Sequence, residues 1–124
     1  MRNMSFSITT QQVMARTKTV TRRLGWLHAA PGQQVLPVDK SRGLRKGEKV
    51  QPIGEPITFT SIRREPLSAL LDYPAYGTRE CILEGFGDDE ILSDPREFVT
   101  MFCRANKCSP DTVVTRIEFE YEEP

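Results

Sequence analysis

The chain has 124 residues, 38% hydrophobic and 27% charged, which suits one domain with a real core and is too short for two. That balance excludes a disordered chain, and no apolar run nears the roughly 20 residues that a membrane span needs. Lys+Arg and Asp+Glu are equal at 17 each, yet residues 1–64 carry 12 cationic against 3 acidic side chains and residues 65–124 carry 5 against 14.

Such a division has two readings. Either one face is basic and attracts a polyanion, or the two halves interleave in the fold and their charges pair. The opening Met1-Arg2-Asn3-Met4-Ser5-Phe6 lacks the apolar stretch of a signal peptide. Without such a signal, the odd set Cys81, Cys103 and Cys108 is expected as reduced thiols in a cytoplasmic protein. Cys103 and Cys108 are spaced more widely than a zinc CxxC pair and His28 is the only histidine, so neither metal nor cofactor is expected.

Residues 4–8 alternate, with Met4, Phe6 and Ile8 on one face, which predicts a half-buried strand. Thr9 or Thr10 can cap a short helix over 11–16 whose apolar contacts are Val13 and Met14. The helix leads into Lys18-Thr19-Val20-Thr21-Arg22-Arg23. In a helical turn Lys18 and Thr21 would point to one side. In an extended chain Thr19, Thr21 and Arg23 would share a face with Lys18 opposite. Trp26, the only tryptophan, suits a core, lid or base-stacking place. Pro31-Gly32 is a turn before a strand over 33–38.

Residues 39–52 hold Lys40, Arg42, Arg45, Lys46 and Lys49 among glycines, which suits either a solvated loop or contacts to phosphates. A strand follows over 54–64, broken by Glu65-Pro66, then helical turns over 67–71 and a loop over 72–78 with Tyr73 and Tyr76. A short helix over 80–84 stops at Gly85, before the acidic turn 88–90. Asp94, Pro95 and Glu97 form a helix start, Phe98, Met101, Phe102 and Ala105 a single apolar stripe, and Asn106 a C-cap. Over 112–122, Val113, Thr115, Ile117, Phe119 and Tyr121 alternate with Arg116 and glutamates, which predicts a strand with its even positions in water. This order predicts an α+β fold, a small, partly open β-barrel with short helices over its ends.

Lys18-Thr19-Val20-Thr21-Arg22-Arg23 after a short helix, Pro31-Gly32 before a strand, Glu84-Gly85-Phe86, residues 93–102, and the ending Ile117-Glu118-Phe119-Glu120-Tyr121 occur in one order over nearly the whole chain. Together they resemble the activating-signal-cointegrator homology (ASCH) domain of the PUA-like superfamily, and in detail ASCH proteins of phages and their bacterial hosts. The resemblance implies a PUA-like mixed barrel and a partner that is RNA or a modified ribonucleoside. One branch, the bacterial acetylcytidine amidohydrolases, deacetylates the exocyclic amine of acetylcytidine; other members are linked to RNA cleavage. The lysine, threonine, arginine and glutamate of that branch fall on Lys18, Thr21, Arg23 and Glu84. By this resemblance Lys18 would take the proton of Thr21, and Glu84 would orient Lys18 or protonate the leaving amine. Arg22 or Arg23 would depress Lys18 or hold a phosphate or carbonyl oxygen. Glu80, one helical turn before Glu84, is an alternative glutamate.

The expected site is therefore a basic cleft of Lys18, Thr21, Arg23 and Glu84, with Arg22 and Trp26 as further ligand contacts. It would bind RNA or a modified ribonucleoside, with hydrolysis of an amide or a phosphodiester as one version. A non-catalytic module that grips nucleic-acid backbone with residues 40–49 is the alternative, and a protein-interaction domain using the charge asymmetry is the third.

Overall fold

The computed structural model describes residues 1–40 and 43–123, so Arg42 lies outside the described residues. Five strands form one mixed sheet in the order β1-β3-β4-β5-β2. They are β1 (Arg2–Ser5), β2 (Val20–Arg23), β3 (Gln34–Val38), β4 (Ile57–Pro66) and β5 (Val113–Tyr121). Only β1 and β3 run parallel; the other pairs are antiparallel. The helices are α1 (Thr10–Met14), α2 (Ala69–Asp72), α3 (Pro74–Cys81) and α4 (Pro95–Asn106), with a π-helical turn over Ile82–Phe86. The α+β class expected from the sequence holds. The sheet does not close into a barrel: among the described residues its edge strands β1 and β2 do not pair. Side chains span the gap instead, with the Arg23 guanidinium 4.8 Å from the centroid of the Phe6 ring and Arg2 3.7 Å from that of Trp26.

Residues paired across adjacent strands share a face, and the register defines two. One face carries Thr21, Ile117 and Ile62 in a row, then Arg23, Thr115 and Arg64. Its apolar part packs Met4, Phe6, Val35, Ile57, Phe59 and Phe119 against Val13 of α1. The opposite face carries the row Arg22, Arg116 and Arg63. Beyond that row Val114 packs with Leu67, Leu70, Cys81, Phe86, Phe98, Val99 and Phe102 beneath the helices. Two apolar cores thus lie on either side of one sheet.

Several expectations are corrected. The first strand lies over Arg2–Ser5, so Met4 and Phe6 are buried but Ile8 is 56% exposed. Helix α1 ends at Met14, which faces water, and Thr9 precedes it without a side-chain cap. Strand β4 runs through Glu65 and ends at Pro66, opposite Val113, where a missing N–H is tolerated. Most of the expected loop over 72–78 is helical. Pro74 starts α3, and Gly77 lets it approach α2 so closely that a Cβ there would lie 2.1 Å from the carbonyl oxygen of Leu70. In α4 Asp94 accepts from the Arg96 N–H at 3.0 Å, and Lys107, not Asn106, adopts the left-handed cap conformation. The buried stripe of α4 is Phe98, Val99 and Phe102, while Ala105 is exposed. In β5 the even positions Val114 and Arg116 are buried and Val113 is 45% exposed, because the helices cover that half of the strand. Among the described residues no helix is long and apolar enough to cross a membrane.

Candidate functional site

The segment before β2 is pinned on both sides. The Thr19 N–H donates to the carbonyl of Leu83 at 2.9 Å, and the Tyr121 hydroxyl donates to the carbonyl of Lys18 at 2.5 Å. Gly85 makes this approach feasible. Its φ of +103° is a left-handed conformation, and a Cβ there would meet Gln12 Cγ at 2.9 Å and Lys18 Cβ at 3.3 Å. The turn therefore delivers Glu84 onto Lys18. The Lys18 ammonium donates to Glu84 Oε1 at 2.7 Å and to the Glu84 carbonyl at 2.8 Å.

From there a buried ion network spreads over the helix-covered face. Arg22 Nη1 donates to Glu84 Oε2 at 3.0 Å, and Arg22 Nη2 to Glu80 Oε1 at 2.6 Å, Glu65 Oε1 at 3.0 Å and Tyr76 Oη at 3.2 Å. Arg116 Nε and Nη2 reach the two oxygens of Glu80 at 2.5 and 3.1 Å. The Tyr76 hydroxyl donates to Glu65 Oε1 at 2.7 Å and accepts from Arg63. Side by side, Arg22, Arg116 and Arg63 would repel one another. The carboxylates above them remove that repulsion, so the cations Lys18, Arg22, Arg63 and Arg116 are matched by Glu65, Glu80, Glu84 and Glu118. Burial lowers Arg22, but the charges of Glu84, Glu80 and Glu65 more than reverse this and raise it. Glu80 is disfavoured as an anion by burial, yet Arg116 and Arg22 hold it below the usual carboxylate range. Lys18 is lowered, because burial outweighs its pairing with Glu84 and both Arg23 and Arg22 add repulsion. On this side cations and carboxylates pair with one another, with Lys18, Arg22, Glu80 and Glu84 buried and Arg63 and Glu118 partly exposed at the margin.

The other face differs in kind. Alternation along β2 turns Thr21 and Arg23 away from Arg22. Arg23 Nε donates to Thr21 Oγ1 at 3.0 Å, and among the described residues no carboxylate pairs with Arg23, Arg2 or Arg64. Burial, countered only in part by the charge of Glu84, lowers Arg23 to about 10. Arg64 Nη1 donates to Thr115 Oγ1 at 2.7 Å, and that hydroxyl donates on to the carbonyl of Gly25 at 2.6 Å. Trp26, half-buried after Gly25, meets Phe59 edge-on at a centroid distance of 6.1 Å, with Arg2 on its ring.

The structure thus brings Lys18, Arg22, Glu84 and Glu80 together, and separately groups Thr21 and Arg23 with Arg64 and Thr115. Among the described residues no hydrogen bond joins Lys18 to Thr21. Both glutamates considered from the sequence face the network, Glu84 on Lys18 and Arg22, Glu80 on Arg22 and Arg116. Lys40 pairs with Glu48 at 2.7 Å, and Arg45, Lys46 and Lys49 are exposed. Val38 bridges Pro52 beyond the Ile57 end of β4, where this segment leaves the sheet, whereas Arg64 lies at the other end, roughly 23 Å of strand away at about 3.3 Å per residue. Residues 43–49 and Arg23 therefore do not form one cleft. Sequence reasoning missed Arg116, Glu65, Tyr76, Arg64 and Thr115. A signal existed for Arg116: an arginine at an even position between Val114 and Glu118 has partners to seek if that face is covered.

Among the described residues no cluster of three His, Cys, Asp or Glu side chains is set to hold a metal ion. Two shallow cavities occur away from these charges, one beside Tyr121 and Ile53, the other between α2 and the start of α4. No protein-family model, no curated protein and no solved structure matches the chain.

Proposed function

We infer that this chain is an ASCH-type, PUA-like module that binds RNA or a ribonucleoside on the sheet face holding Thr21, Arg23, Arg64 and Trp26. The observation that carries this reading is the contrast between neighbours: Arg22 is bound by three carboxylates, while the half-buried Arg23 pairs with none among the described residues. A buried structural arginine has carboxylates around it, as Arg22 has. An unneutralised one stores affinity for an anion or a polarised oxygen, which forms charge-assisted hydrogen bonds with it. A nearby tryptophan adds a π-surface for a base.

Binding fits the geometry better than hydrolysis at Thr21. For Lys18 to take a proton from Thr21, its nitrogen would have to leave Glu84 and approach the hydroxyl. The ribonuclease or amidohydrolase version requires that rearrangement; binding does not.

The test measures affinity for a fluorescein-labelled single-stranded RNA over about 50–200 mM salt, beside turnover of acetylcytidine, for wild type, Arg23→Gln and Thr21→Ala. We expect saturable binding that weakens steeply with salt, loses about tenfold or more in Arg23→Gln, and survives Thr21→Ala within a few fold. Absence of binding to RNA and nucleosides alike would sink the reading. Turnover of acetylcytidine abolished by Thr21→Ala would replace it with the hydrolase.

A further inference from the structure

We propose that Arg23 and Arg64 flank a phosphate subsite, so that the ligand is a phosphate ester of a ribonucleoside, whether a free nucleotide or an RNA backbone, and not a neutral nucleoside. This rests on the ribonucleoside- or RNA-binding reading above. Both arginines pair in register with Thr115, one from β2 and one from β4, so their Cα atoms stand about two strand spacings apart, roughly 9–10 Å. Side chains of that length, rising from one face on either side of a threonine, can close on a single tetrahedral anion.

Each guanidinium is held by one threonine hydroxyl and keeps further donors without a protein partner among the described residues. Arg23 is fixed through Nε on Thr21 Oγ1 and by the ring of Phe6, which leaves both Nη groups without a protein partner among the described residues. Arg64 is fixed through Nη1 on Thr115, whose hydroxyl is itself tied to Gly25, which leaves Nε and Nη2. The Thr21 hydroxyl accepts from Arg23, so its proton remains to donate. Two forks and a hydroxyl make a donor set suited to a phosphate. The acyl carbonyl of a neutral modified base offers one weak acceptor and leaves the second cation idle. Glu84, the carboxylate whose charge reaches Arg23, is already bonded to Lys18 and Arg22 and does not neutralise this pair. Arg2 on Trp26 adds a third cation beside the gap between the edge strands.

The experiment is calorimetric titration of the full chain with the four ribonucleosides, their 3′- and 5′-monophosphates, inorganic phosphate and an eight-nucleotide RNA. It compares wild type with Arg64→Gln, Arg64→Lys and Lys46→Gln, and thermal melts confirm that each variant folds. At least one monophosphate should bind about tenfold or more tightly than its nucleoside. Arg64→Gln should abolish that ratio, Arg64→Lys should restore part of it, and Lys46→Gln, at the other end of β4, should leave it unchanged. Tighter binding of the monophosphate than of the RNA identifies a free nucleotide as the source; the reverse identifies the RNA backbone. Equal affinity for nucleosides and monophosphates in the wild type, or a ratio that Arg64→Gln does not change, overturns the phosphate subsite and leaves the nucleoside reading standing. Inorganic phosphate bound by wild type and lost in Arg64→Gln, with no nucleotide or RNA bound better than phosphate, supports the subsite and removes the nucleoside. Absence of binding by every probe overturns both.

Discussion

Glu80→Gln tests the buried network at its centre. Glu80 is 1% exposed and accepts from Arg22 Nη2 at 2.6 Å and from Arg116 Nε and Nη2 at 2.5 and 3.1 Å. Gln keeps the shape and removes the charge that separates two arginines paired directly across β2 and β5. Removing one partner of a buried ion pair destabilises by about 3–5 kcal/mol, because the remaining charge stays desolvated and uncompensated. With an unfolding entropy of about 2.1 cal/mol/K per residue, that lowers Tm by roughly 11–19 °C for a chain of this size. Circular dichroism melts and urea titrations at pH 7 measure it. The pH dependence adds a second readout. Glu80 in the fold lies below its ordinary 4.5, so its contribution is fully present above that value and lost as the pH falls through the lowered folded value. The unfolded chain takes up that proton first. The gap between wild type and Glu80→Gln should therefore be widest at neutral pH and shrink as the pH falls below 4.5. A loss below about 1 kcal/mol at pH 7, or a gap that does not change with pH, would refute the view that this carboxylate holds the arginine row together.

The remaining predictions use the same contrasts. Arg64→Gln, on the exposed face, should change stability by no more than about 0.5 kcal/mol in the same melts, against several for Glu80→Gln. Gly85→Ala should cost about 1–3 kcal/mol, since φ of +103° strains any side chain and the new Cβ would crowd Gln12 and Lys18; a neutral result would mean that the turn is not what seats Glu84. Iodoacetamide at pH 8 should label the half-buried Cys103 and Cys108 in the native protein and leave Cys81 untouched until urea is added. Burial pushes the Cys81 thiol up to about 12, and native labelling of Cys81, read by mass spectrometry, would contradict its packing between α3 and α4.

What could be read from the sequence was mostly local. Helix α4 announces itself because Asp94 and Pro95 are start signals that act within one turn. Helix α3 does not, because Tyr76, Gly77 and Thr78 are poor helix formers, and its stability comes from Gly77 packing on Leu70, a contact between two helices. The alternation of β5 is visible, but alternation alone puts its even face in water; Arg116 lies there beneath Glu80, 36 residues away in sequence. The nearness of Lys18 and Glu84 followed from a resemblance to a family, while the strained turn at Gly85 that achieves it depends on tertiary contact.

The charge asymmetry between the two halves is resolved differently on the two faces of the sheet. Lys18, Arg22 and Arg63 of the basic half are taken up by Glu65, Glu80 and Glu84 of the acidic half. Strand alternation makes this selection, because it turns Arg22 toward the helices and Arg23 away from them. Composition cannot distinguish two adjacent arginines, and neither can a motif short enough to fit both helix and strand. Once β2 is extended, the distinction is forced: every second residue meets the acidic helices, and among the described residues no carboxylate pairs with the cations between them. Arg23 and Arg64 are left over for that reason, and a surplus of cations braced on threonines is what an anionic ligand needs to find.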